Sequence, residues 1–69
     1  MNTLKINGEV KQFDGGLPET LSQLLAHLKV DEATVVAEID GAIIERAKFA
    51  ATPLHESQKI ELIRFVGGG

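Results

Sequence analysis

Only one stretch of this 69-residue chain has helical periodicity, and it is short. Leu21, Leu24, Leu25 and Leu28 recur at the spacing of a single α-helical stripe, with Ser22, Gln23 and His27 turned away from it. Thr20, followed three positions on by Gln23, fits a capping box: the hydroxyl accepts from a first-turn amide and the glutamine reaches back. The helix is expected over residues 21–28. A helix of this length is marginal in water, so its leucines must be stabilised by packing on something flat. The segments on either side have strand patterns and supply that surface.

Thr3-Leu4-Lys5-Ile6 alternates polar and apolar, Asn7-Gly8 makes a tight turn, and Val10-Lys11-Gln12-Phe13 alternates again. This is a β-hairpin, with Leu4, Ile6 and Val10 expected to face the core together with Phe13. Asp14-Gly15-Gly16 ends it, and Pro18 keeps the chain extended ahead of the helix. Beyond the helix, Val35 to Ile39 is rich in β-branched residues, and Asp40-Gly41 turns the chain into a short strand at Ile43-Ile44. Arg46 to Ala50 has the look of a helical turn ended by Pro53, after which Leu54 returns to the core. Lys59 to Phe65 is the last strand. One helix and four to five strands call for an α+β domain spanning 1–69: a mixed sheet, the helix on one face, and the last strand central beside the first.

Period 2 along that strand sends Ile60 and Leu62 to the helix side, and Glu61, Ile63 and Phe65 to the opposite face. Two large apolar residues on a solvated face mark a partner surface. The competing assignment buries them in a second small core beneath residues 46–54. Val66 and then Gly67-Gly68-Gly69 follow, and residues 66–69 are expected to form an extended flexible tail. Glycines tolerate either sign of φ, and such a tail is able to thread a channel too narrow for other residues.

Composition removes several function classes. With no cysteine there is no disulfide framework, thiolate metal site or side-chain persulfide. A net charge of −3 with interspersed signs offers no basic stripe for nucleic acid, and Phe13, Phe49 and Phe65 are too few to stack bases. The start of the chain lacks a secretory signal, and no apolar run is long enough to span a bilayer, so the expected location is the cytoplasm. His27 and His55 lack companions at metal spacing. Asp31, Glu32 and Glu45 are assigned to a solvated surface, and no Ser/His/Asp pattern has motif support. A chain this small has little room for a catalytic cleft of its own, so an enzyme is not expected.

Asn7-Gly8-Glu9, Thr20-Leu21-Ser22-Gln23-Leu24-Leu25, Asp40-Gly41, Pro53-Leu54, Ile60-Glu61-Leu62-Ile63 and Phe65-Val66-Gly67-Gly68-Gly69 together resemble the ThiS family, the sulfur carriers of thiamine biosynthesis. The resemblance covers essentially the whole chain. Its most specific element is a diglycine end set a short distance beyond an apolar strand. Asp40-Gly41 stands where members of the family often have Asn-Gly, and Glu56-Ser57-Gln58 where they have Asp-Gly; both keep polar turn character.

The resemblance implies a ubiquitin-like β-grasp fold and a carrier that contributes no catalytic residue. It implies that the Gly69 carboxylate is adenylated by an E1-like, ThiF-like adenylyltransferase, which uses ATP and Mg²⁺; the carrier itself binds no cofactor. A sulfur donor such as a cysteine desulfurase then supplies a thiocarboxylate, which donates sulfur to a ThiG-like thiazole synthase. Gly67 and Gly68 are expected in the partners' channels, with Ile63, Phe65 and Val66 as the docking patch. Three rival readings remain: the related carrier for molybdopterin synthesis, a β-grasp binding module with no covalent role, and a ubiquitin-like modifier of lysines.

Overall fold

The computed structural model describes residues 2–64. In chain order it has β1 (Thr3–Ile6), β2 (Glu9–Gln12), α1 (Leu21–His27), a 3₁₀ turn at Glu32–Thr34, β3 (Val35–Ile39), β4 (Ala42–Ile44), a longer 3₁₀ segment at Arg46–Ala51 and β5 (Lys59–Arg64). The five strands form one mixed sheet in the order β2-β1-β5-β3-β4. Only β1 and β5 run parallel; the other neighbours are antiparallel. The final strand is thus central, beside the first, with α1 across one face. This is the expected β-grasp arrangement.

Both hairpins turn the same way. Asn7 and Gly8 have φ of 50° and 83°, and Asp40 and Gly41 have 49° and 86°. A two-residue turn with positive φ at both positions matches the right-handed twist of the strands, and Asn, Asp and Gly adopt it with least strain.

The helix begins as its cap predicts, with one difference. The Gln23 amide donates to Thr20 Oγ1 at 3.2 Å, but the Gln23 side chain accepts from the amide of Glu19, one residue before the cap. Leu21, Leu24 and Leu25 are fully buried. Leu28 caps the helix and is only partly buried. The leucines pack on Leu4 and Ile6 of β1, Val35, Ala37 and Ile39 of β3, and Ile60 of β5.

Val10 departs from expectation: it is 71% exposed. A two-residue hairpin sets residues i and i+3 opposite each other, so Ile6 faces Glu9, and Val10 lies opposite Lys5 on the face away from the helix. The same phase brings Phe13 inward, where it is buried just beyond the strand and its amide donates to the Asn2 carbonyl at 2.8 Å. The sequence alternates equally well in either phase, and the turn length decides between them.

The segment after β4 is tied to the start of the helix. The Leu21 amide donates to the Thr52 carbonyl at 3.0 Å, and the Leu54 amide to the Glu19 carbonyl at 3.2 Å. Phe49, carried by the 3₁₀ segment, is 1% exposed and fills the core, and Leu54 is buried as expected.

Candidate functional site

The sheet face opposite the helix carries the features left over once the core is assigned. Strand parity and register place Lys5, Val10 and Lys59 at one end of this face, Glu38, Glu61 and Ile43 across its middle, and Val36 and Ile63 at the other end. The face therefore grades from basic through acidic to apolar along β5. Its apolar end is the end at which β5 leads toward the glycines.

Ile63 lies directly opposite Val36 and is 53% exposed; Ile43, on β4 beyond β3 and level with Glu38, is 69% exposed. The residue selected as an interface position is thus accessible and paired with one apolar neighbour. The alternative of a second core beneath residues 46–54 does not hold for Ile63: that segment packs on the helix side through Phe49. Phe65, Val66, Gly67, Gly68 and Gly69 lie outside the described residues.

The turns brace β5 from both sides. The Asp40 amide donates to the Lys59 carbonyl at 2.8 Å, and the Lys59 amide returns a bond to Asp40 Oδ1 at 2.9 Å. On the other flank, the Asn7 amide donates to the Ile60 carbonyl at 2.9 Å. The Asn7 side chain then continues the ladder that β1 has abandoned: Oδ1 accepts from the Leu62 amide at 2.7 Å, and Nδ2 donates to the Leu62 carbonyl at 3.3 Å. A turn side chain thus stands in for a missing strand residue. Sequence reasoning treated Asn7 only as a turn former; its partner is 55 residues away, beyond any local signal.

His27 points away from the leucine stripe, as expected, and its ring lies 5.3 Å from that of Phe13 in a tilted arrangement. Among the described residues, no group of three or more His, Cys, Asp or Glu side chains is gathered so as to hold a metal ion. None of their helices is long and apolar enough to cross a membrane.

Comparison with known proteins decides the family. Residues 4–69 match the ThiS family. The chain belongs to it. A crystal structure of the thiamine biosynthesis protein ThiS from Geobacter metallireducens superposes with a TM-score of 0.82 at 35% identity, covering 97% of this chain and 99% of that one. A thiazole synthase of Paramagnetospirillum magneticum is 33% identical over 66 residues, which make up 96% of this ThiS-family chain but 20% of that protein. The ycf40 protein of Porphyra purpurea is 31% identical over 67 residues, covering 97% of this chain and 92% of its own length.

Proposed function

We propose that this ThiS-family chain is a cytoplasmic sulfur carrier for the thiazole moiety of thiamine. The observation that carries the reading is the family match, which runs from residue 4 to Gly69 and so includes the glycines where the chemistry takes place. The apolar end of the open sheet face, with Ile63 exposed one residue before the end of β5, supports a docking surface beside the reactive end.

A carboxylate is a poor electrophile. In the proposed cycle a Gly69 carboxylate oxygen attacks the α-phosphorus of ATP in a ThiF-like adenylyltransferase, releasing pyrophosphate and forming an acyl-adenylate. The persulfide of a donor such as a cysteine desulfurase then displaces AMP to form an acyl disulfide, and a thiol attacks the donor's sulfur of that disulfide, taking up the oxidation as a new disulfide and releasing the thiocarboxylate. That group is ionised at neutral pH and is a good nucleophile toward the substrate of a ThiG-like thiazole synthase. ATP and Mg²⁺ belong to the partner. The carrier supplies a handle and an address, and Gly67 and Gly68 allow the handle to enter a narrow channel. The thiazole synthase from Paramagnetospirillum magneticum, one-fifth of which resembles this chain, supports that enzyme as the acceptor.

The test is the intact mass of the untagged protein from its native cells. A species about 16 Da heavier, localised to Gly69 by fragmentation, marks the exchange of one oxygen for sulfur. If only the unmodified mass is found, even after incubation with ATP, Mg²⁺, a ThiF-like enzyme and a sulfur donor, the carrier function is rejected. Lysine conjugates in extracts would point instead to a protein modifier.

A further inference from the structure

We propose that Asn7-Gly8 is a site of spontaneous deamidation, held unreactive in the folded protein by the bonds between the Asn7 amide and Leu62. The proposal is independent of the sulfur-carrier function.

The chemistry lies within the turn. The backbone nitrogen of Gly8 attacks Asn7 Cγ, the Cγ–Nδ2 bond breaks, and ammonia leaves with the proton lost by the Gly8 nitrogen, forming a cyclic succinimide. Water opens the ring at either carbonyl to give aspartate or isoaspartate, with no oxidant or reductant involved. Glycine is the following residue that least obstructs the attack, because it has no side chain and its backbone moves freely. A Cβ placed at Gly8 would have no atom within 4 Å, so the turn is also open to water on that side.

In the fold the reaction is blocked. Both ends of the Asn7 amide are engaged, Oδ1 by the Leu62 amide at 2.7 Å and Nδ2 by the Leu62 carbonyl at 3.3 Å. Swinging Cγ onto the Gly8 nitrogen requires both bonds to break. The rate in the native protein is therefore set by the fraction of time in which β5 is detached from this turn, as hydrogen exchange is set by local opening.

The consequence is one-way. An aspartate at position 7 still accepts from the Leu62 amide but has no donor for the Leu62 carbonyl, and instead faces it with a charged oxygen. An isoaspartate adds a backbone carbon to a two-residue turn whose strand register depends on its length. Either product loosens β5 on its β1 flank, where beyond Ile60 the described contacts are those of Asn7. This strand leads into the glycine end.

The experiment incubates the full chain at mildly alkaline pH, with and without urea, and maps by peptide mass the gain of about 1 Da that replacing an amide by an acid produces. In urea, Asn7 is expected to convert while Asn2, followed by the β-branched Thr3, persists as an internal control, and Gly8→Ala is expected to slow the conversion. Without urea, conversion at Asn7 is expected to be at least about tenfold slower. Hydrogen exchange of the native Asn7→Asp variant, or of the deamidated protein, is expected to be faster at residues 62–64. Equal rates with and without urea overturn the proposal, as does the absence of conversion in urea. Unchanged exchange after conversion overturns the coupling to β5.

Discussion

Glu38 of β3 and Glu61 of β5 stand directly opposite each other on the sheet face away from the helix, with no ion pair to either among the described residues. Like charges in this position oppose strand pairing. Glu61→Gln is therefore expected to raise stability by about 0.2–1 kcal/mol. The gain is expected to shrink as salt screens the repulsion. Urea midpoints of both proteins at low and high ionic strength measure it.

Phe49 lies in a segment without regular periodicity and is nonetheless among the most buried residues. Phe49→Ala is expected to cost about 3–5 kcal/mol, a large part of the stability of so small a domain. Thermal or urea denaturation with a circular dichroism readout checks this. A loss below about 1 kcal/mol would show that the 3₁₀ segment is not part of the cooperative core.

Asp40 combines positive φ with a side-chain bond to the Lys59 amide. Asn tolerates the same backbone conformation and retains an acceptor oxygen, so Asp40→Asn is expected to leave stability within about 0.5 kcal/mol of the parent. Asp40→Ala loses both advantages and is expected to cost about 1–3 kcal/mol. Urea denaturation of the two variants compares them.

Ile63 is exposed on the proposed docking face. Ile63→Asp loses no core contact but puts a poor strand former beside Glu61, so it is expected to cost about 1 kcal/mol with the fold retained, while sulfur loading by the adenylyltransferase falls by about tenfold or more, the scale of an interface anchor. Deletion of Gly69 is expected to abolish loading with the fold intact. Mass spectrometry of the loaded protein and a parallel denaturation curve separate these effects from misfolding. Full loading of Ile63→Asp would remove Ile63 from the interface.

The leucine stripe, the Thr20 cap, both positive-φ turns and the strand-rich frame follow from side-chain spacing and backbone sterics, properties that neighbouring residues carry with them. So does the parity that puts Ile63 on the face opposite Ile60. The family resemblance rests on the same local motifs, Phe65 to Gly69 above all.

The tertiary structure decided whatever depends on distant partners or on which of two equal choices packs. Alternation made Val10 a core candidate, but pairing across a two-residue turn put it opposite Lys5 in solvent. Phe49 had no periodic neighbours to announce its burial; packing between the helix and the sheet supplied the reason. The Asn7 amide is ordinary turn chemistry until β5 arrives 55 residues later and places the amide and carbonyl of Leu62 within its reach. Short-range sterics select the elements, whereas register and long-range hydrogen bonds exist only once the chain has closed on itself.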